Sequence, residues 1–304
     1  MRVDLRPSTC AVRRLVCLVV ATLVLAGCSG SDSKDVPEPV DGPLSILLVN
    51  DDGWDAPGIT AVYDALRAAG HDVTLVAPLE NQSGRSMATN VDALAVTRPE
   101  PGSPKYAVDG TPVDALNVGL FGVLDDKRPD VVVSGINLGA NVGANVNYSG
   151  TFGAATAAAE AGVPAFAVSA DVDADGVADF DDATQVTVRL VEAYARRGFD
   201  GMGRRGVINV NVPFEVAGRD RPRGVVAAPL ADGGPRSVVY RDTGGDTWTP
   251  EFAYDPRVGG RAADAERLAD GYVTVTALSV ARQTYRSEED VLTDLVDGAD
   301  LLRR

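Results

Sequence analysis

From residue 44 to about residue 213 the chain alternates short apolar runs with amphipathic stretches, and that alternation leaves few folds open to it. The apolar runs predict β-strands at 44–50, 72–77, 130–134, 164–169 and 207–212. Helical periodicity between them predicts helices at 58–69, 111–124, 151–161 and 183–197. Such an order implies an α/β domain with a doubly wound, mostly parallel sheet. After Pro213 the character changes to turns rich in Gly, Pro and Asp. Between them lie short runs such as Val238-Val239-Tyr240 and Tyr272-Val273-Thr274-Val275-Thr276. This stretch reads as a smaller region of hairpins or an oligomerisation arm, followed by a charged segment from Ser287 to Arg304. The expected organisation is thus 44–213 for the α/β domain and 214–304 for a C-terminal β arm and tail.

The first predicted strand, Ile46-Leu47-Leu48-Val49, stops on Asn50 and two adjacent carboxylates, Asp51 and Asp52, before Gly53 and Pro57-Gly58. In open α/β sheets ligands bind at the carboxyl ends of the strands. Neighbouring carboxylates repel unless a positive charge lies between them, and a hard divalent cation such as Mg²⁺ or Mn²⁺ suits that place. The pair also suits the N-terminal cap of a helix beginning near Gly58, and the two readings stand side by side.

Three further segments fall after predicted strands. Asn81-Gln82-Ser83-Gly84 and Ser134-Gly135-Ile136-Asn137 bring neutral oxygen ligands to the same sheet edge. Tyr148-Ser149-Gly150-Thr151 precedes an Ala-rich helix, whose first free N–H groups and positive dipole end form an anion site. Singly, Ser149 reads as a helix cap and Asn137 as a turn residue. Together they offer a cation beside an oxyanion pocket, the equipment of phosphate-ester hydrolysis.

These residues resemble the SurE family of metal-dependent 5′/3′-nucleotidases. The matching stretches are Asn50-Asp51-Asp52-Gly53, Val76-Ala77-Pro78 with Asn81-Gln82-Ser83-Gly84, Gly110-Thr111-Pro112 and Val133-Ser134-Gly135-Ile136-Asn137. Tyr148-Ser149-Gly150-Thr151, Asn209-Val210-Asn211-Val212-Pro213 and Gly271-Tyr272-Val273 complete the order, over roughly 44 to 285. The resemblance implies a Rossmann-like domain with a C-terminal β arm exchanged between subunits of a dimer or tetramer. It implies that Asp51, Asp52, Ser83 and Asn137 ligate the metal, with Asn50 and Asn141 close by, and that Ser149, Gly150 and Thr151 contact phosphate. Nucleoside 5′- or 3′-monophosphates are then the substrates, attacked by metal-activated water. Asn145 departs from the pattern, since members often carry Asp there. The stretch from Glu251 to Asp264 matches little. His71, the only histidine, sits at a helix-to-strand turn and reads as structural, so an imidazole is not the general acid. Rival readings are a broad-specificity or short-chain polyphosphate phosphatase and a non-catalytic nucleotide-binding surface lipoprotein.

Residues 1–27 combine Arg13-Arg14, an apolar run from Leu15 to Leu25 and small residues before Cys28, the form of an export signal. Leu25-Ala26-Gly27-Cys28 resembles the bacterial lipobox, which implies cleavage before Cys28 and lipidation of its thiol. A plain secretory signal is the simpler alternative. Residues 28–43 then form a flexible tether, and the expected location is the outer face of the bacterial cell membrane. All three cysteines lie at or before Cys28, so the domain has no disulfide framework. Without residues 1–27, which hold four Arg and one Asp, 24 basic and 42 acidic side chains remain, a net charge of −18. Such a surface repels nucleic acid and anionic headgroups.

A second acidic run spans Asp171 to Asp182. Asp171, Asp173, Asp175, Asp179 and Asp182 occupy positions 1, 3, 5, 9 and 12 of a twelve-residue loop with Gly176 at position 6, the calcium-loop spacing of EF-hands. The final Asp in place of Glu is similar to dockerin loops. A structural calcium site and a solvated acidic insertion are the two readings.

Overall fold

The computed structural model describes residues 42–125, 127–197, 205–214, 221–234, 236–255 and 260–280. The predicted signal, Cys28, the tether as far as residue 41 and the segment from Ser287 lie outside the described residues.

Apolar side chains on both faces of the strands build one nine-stranded sheet. Its strands are β1 (Ser45–Val49), β2 (Asp72–Pro78), β3 (Val96–Thr97), β4 (Lys105–Val108), β5 (Val131–Leu138), β6 (Ala165–Ala170), β7 (Gly206–Val212), β8 (Val225–Ala227) and β11 (Val273–Ser279). The spatial order is β3-β4-β2-β1-β5-β6-β7-β11-β8. From β4 to β7 every pairing is parallel; β3 and β11 pair antiparallel with β4 and β7. The chain leaves β1 for β2 on one side and later returns to β5 on the other. The carboxyl ends of β1 and β5 therefore flank the topological switch point, where α/β sheets open a crevice.

Helices cover both faces. α1 (Pro57–Ala68) and α4 (Asp181–Arg197) bury Ile59, Val62, Leu66, Val186 and Leu190 at three- and four-residue spacing against Ile46, Leu48 and Val133. On the opposite face α2 (Pro112–Val118) and α3 (Gly150–Glu160) pack Leu116, Phe152, Ala155 and Ala159 on Leu47, Val49 and Val132. Each large side chain buried this completely stabilises the fold by about 1.5–3 kcal/mol relative to exposure. In place of the single helix expected over 111–124, α2 ends at Val118 and a π turn continues to Val123.

β8 and β11, both beyond Pro213, extend the main sheet. The arm proper is the antiparallel pair β9 (Arg236–Gly244) and β10 (Thr247–Tyr254), which precedes α5 (Asp264–Ala269). The excursion between β8 and β11 is closed at its root by Asp264. Its buried carboxylate accepts hydrogen bonds from the N–H of Ala231 before the hairpin and of Ala265 after it.

Candidate functional site

β1 delivers Asn50, Asp51 and Asp52 to the switch point. The helix-cap reading of this pair fails, because α1 begins at Pro57 after Ala56 with no side-chain cap. Asp51 is buried, and its Oδ1 accepts from the Thr151 hydroxyl at 2.5 Å. Asp52 turns to the neighbouring loops: Oδ2 accepts from the Leu138 N–H at 3.0 Å and Oδ1 from Asn81 Nδ2 at 3.4 Å. Burial pushes the Asp51 carboxyl group up, against the bonds from Thr151 and Gly150. Burial and then the charge of Asp51 push Asp52 up to about 7. Ionising both carboxylates side by side therefore carries a cost that a cation between them would relieve.

Asn137 reaches the same edge through an irregularity in β5. The β5–β6 register shifts between Ser134 and Asn137, and Gly135 takes φ +133 with Val168 O 2.3 Å from where a Cβ would stand. Only glycine fits there, and the irregularity re-aims Ile136 and Asn137. Asn137 commits Nδ2 to the Gly139 carbonyl at 2.5 Å, which leaves Oδ1 as its ligand atom. Ser83 comes from the loop after β2, pinned where Gln82 N–H donates to Asp51 O at 2.7 Å and Ser83 N–H to Asn81 Oδ1 at 2.8 Å.

Ser149 caps α3, accepting from Phe152 N–H at 3.0 Å, so its hydroxyl proton is still available to an acceptor in the cleft. The cap and the anion site are one feature. The side chain of Thr151 is directed at Asp51. It is fully buried and spends its hydroxyl on Asp51, so it orients a carboxylate. Gly150 allows this approach, because a Cβ there would meet Asp51 Oδ2 at 2.7 Å.

Asp51, Ser83, Asn137, Asn141, Asn145 and Ser149 line one cleft of about 580 Å³ together with Leu138, Tyr148, Val238 and Tyr240. Asn141 is racked from below. Its backbone N–H donates to Asn211 Oδ1 at 2.7 Å, its Nδ2 to Ser169 Oγ at 3.0 Å, and its carbonyl accepts from Asn209 and Asn211. Asn209 and Asn211 are fully buried on one face of β7; alternate asparagines in an apolar strand are the sequence signal for such a rack. Asp264 also touches this region, accepting from Gly143 N–H at 3.0 Å. Nothing in Ala263-Asp264-Ala265 marks that role.

The residues fit a hard divalent cation. The donor set is oxygen throughout, two carboxylates lie side by side, and the buried Asn50 beside them has both side-chain polar atoms without a partner. The Asp171–Asp182 loop is held by its own backbone N–H groups. Asp173 Oδ1 accepts from the N–H groups of Asp175 and Val177 at 2.9 and 2.8 Å, and Asp179 Oδ1 from Asp181 N–H at 2.9 Å. These carboxylates cap their own turn. Among the described residues no three acidic or other strongly ligating side chains, including Asp171 and Asp182, gather to hold a metal. His71 lies at the amino end of β2, at the far edge of the sheet, where its Nδ1 accepts from Leu44 N–H at 3.1 Å.

The family described as "Survival protein SurE" matches residues 46–232. The chain is 35% identical over 271 residues to "5′-nucleotidase SurE" of Xanthomonas euvesicatoria pv. vesicatoria (strain 85-10), covering 84% of this chain and 99% of that protein. It is 35% identical over 258 residues to the protein of the same name from Xanthomonas campestris pv. campestris (strain B100), covering 82% and 94%. Its structure superposes on the crystal structure of the SurE protein from Aquifex aeolicus with TM-score 0.64 and 28% identity, over 83% of this chain and 99% of that one. With the motifs, the switch-point site and the fold in agreement, this chain belongs to the SurE family.

Proposed function

We propose that this protein is a 5′-nucleotidase, a metal-dependent phosphomonoesterase that releases phosphate from nucleoside 5′- and 3′-monophosphates. The observation that carries the reading is the buried Asp51, with the part-buried Asp52 beside it, lining one cleft with Ser83, Asn137 and Ser149 at the capped start of α3. The names of the relatives support the 5′ activity. Asp51, Asp52, Ser83 and Asn137 would hold Mg²⁺ or Mn²⁺. Bound there, the ion supplies polarisation of the phosphoryl oxygens and activation of the attacking water.

The chain's own residues do the remaining work. The Ser149 hydroxyl and the first N–H groups of α3 bind the phosphoryl oxygens, where positive partial charge is fixed in advance. Asn141, immobilised by Asn209, Asn211 and Ser169, offers its side of the cleft without reorganisation. Asp51 and Asp52 are the proton acceptors within reach of that phosphate, and Thr151 fixes the orientation of Asp51. His71 stands at the wrong end of the sheet to protonate a leaving group.

Lipidation at Cys28 and residence at the outer face of the membrane belong to this proposal, supported by Leu25-Ala26-Gly27-Cys28 and the apolar run before it. Salvage of phosphate or nucleoside at the cell surface is the corresponding role. A dimer or tetramer formed through the arm is supported by the exposed Val239 and Trp248.

The test is phosphate release from a panel of nucleoside 5′- and 3′-monophosphates, simple phosphate esters and tripolyphosphate, with Mn²⁺, Mg²⁺ or EDTA, beside Asp51→Asn and Asp52→Asn. Metal-dependent release lost in both variants is expected. Equal rates on nucleotides and tripolyphosphate would move the reading to a broad-specificity or polyphosphate phosphatase. Nucleotide binding without turnover would leave a surface binding protein.

A further inference from the structure

The residues suited to the cation and those suited to phosphate stand on different stretches of chain. Ser83 belongs to an exposed loop after β2, whereas Ser149 and the first turn of α3 follow the short 3-10 helix Gly143–Asn147. Surface loops shift relative to one another unless something joins them. Ser86, three positions after Ser83, makes that join.

Ser86 is half-buried and takes φ +53, a left-handed conformation that residues other than glycine rarely adopt. Its contacts account for the conformation. The backbone N–H donates to Tyr148 O at 3.2 Å and the hydroxyl to Asn147 O at 2.7 Å, so one residue grips the two carbonyls immediately before Ser149. The carbonyl of Ser86 lies against the first turn of α3. A Cβ at Gly153 would stand 2.2 Å from Ser86 O, and glycine there lets the loop reach the helix. Gly153 N–H in turn donates to Ser149 O at 3.0 Å. Toward the strand end, Arg85 N–H donates to Gln82 O at 3.3 Å and Gln82 N–H to Asp51 O at 2.7 Å. Hydrogen bonds and adjacent residues thus lead from Asp51 through Gln82 and Ser86 to the start of α3. A sparsely populated conformation persists only where its surroundings over-determine it, as they do here.

We propose that Ser86 is a positioning residue for phosphoryl transfer, fixing the distance from Ser83 to Ser149 and the first N–H groups of α3. Its hydroxyl is spent on Asn147 O, so it acts through these neighbours and not on the substrate. The inference rests on the phosphomonoesterase reading of the cleft and names a residue that reading leaves out. Attack at phosphorus needs the ester held by cation and amides at once, and a misplacement of about 1 Å costs on the order of 100-fold in rate. Binding of the ester tolerates a looser spacing, because either partner alone retains it, and the loss falls on the transition state.

The experiment compares the full chain with Ser86→Gly and Ser86→Ala. Glycine removes the hydroxyl and accepts a positive φ freely, so it separates spacing from folding. With Mn²⁺ present, kcat on AMP and on p-nitrophenyl phosphate falls by the same factor in both variants, about 10-fold to 100-fold, while KM stays within about 2-fold of the parent. The glycine variant melts within about 3 °C of the parent. In protein free of metal and ester, amide hydrogen exchange at Phe152 and Gly153 is faster than in the parent by about 10-fold. Unchanged kcat in the glycine variant, or a loss confined to KM, overturns the positioning role. If the parent hydrolyses neither ester with Mn²⁺ or Mg²⁺, the phosphomonoesterase reading fails, and exchange then decides separately. Faster exchange in the variants sustains Ser86 as the tie to α3, and unchanged exchange overturns it.

Discussion

Replacing Asp264 by Asn removes one charge from a site where three segments of chain meet. The carboxylate is fully buried; Oδ2 accepts from Gly143 N–H at 3.0 Å, and Oδ1 from Ala231 and Ala265 N–H at 2.9 and 2.8 Å. An amide of nearly equal volume keeps the two bonds at Oδ1 but sets its NH₂ against the Gly143 N–H, donor to donor. The loss is one charge-assisted bond, about 1.5–3 kcal/mol, and an unsatisfied buried donor, about 1–3 kcal/mol. Burial pushes the Asp264 carboxyl group up, so removing the charge returns part of that sum. The net expectation is about 2–4 kcal/mol, which lowers the unfolding midpoint by about 5–15 °C for a domain of this size. Scanning calorimetry of parent and variant at neutral pH measures it, with KM for AMP followed alongside, because Gly143 opens the turn that ends at Ser149. A variant melting within about 1 °C of the parent would refute the reasoning, since a carboxylate with three buried partners has no cheap replacement.

Gly150→Ala places a Cβ 2.7 Å from Asp51 Oδ2 and 3.0 Å from Pro112 Cγ, so Asp51 must move. Metal-dependent phosphate release falls by about 10-fold to 100-fold, and unchanged turnover would contradict the packing argument. His71 is held below its ordinary value of 6.5 by burial, and its Nδ1 is an acceptor. Its contribution to stability is therefore complete above pH 6.5 and is lost as pH falls through the lower folded value. Urea unfolding of His71→Gln has a shallower dependence on pH over this window than the parent, and identical slopes would show that the ring does not titrate on unfolding. Because Asp173 caps its own loop, Asp173→Ala costs about 1 kcal/mol with or without calcium. Calcium shifts the melting point of parent and variant equally, and a larger shift in the parent would restore the calcium reading.

The central strands are legible because parallel strands covered on both faces leave unbroken apolar runs such as Ile46–Val49 and Val131–Val133. β3 and β4 carry no such signal. They are short, and the two residues of β3 are exposed at the sheet edge. The Tyr272–Thr276 run is visible, but its return beside β7 is not, since an antiparallel partner that far away leaves no local mark. At the site, residue type and position are enough to bring Asp51, Ser83, Asn137 and Ser149 to one cleft, where the structure also places them. The motif marks Thr151 as a phosphate contact and gives no sign that its buried hydroxyl donates to Asp51. Asp264 is out of reach, its partners lying 121 and 33 positions away. In the acidic loop the spacing rule is legible, and the turn that Asp173 makes with the N–H groups of Asp175 and Val177 is not.

The hairpin β9–β10 leaves and re-enters the sheet between β8 and β11, and one carboxylate seals its root. Its tip can lengthen, shorten or change composition while every neighbouring strand keeps its register. The strand-end cleft and the arm thus sit on separable stretches of gene. The strand ends are constrained by the whole core, whereas the arm is free to drift, much as a tool head is exchanged on an unaltered shaft.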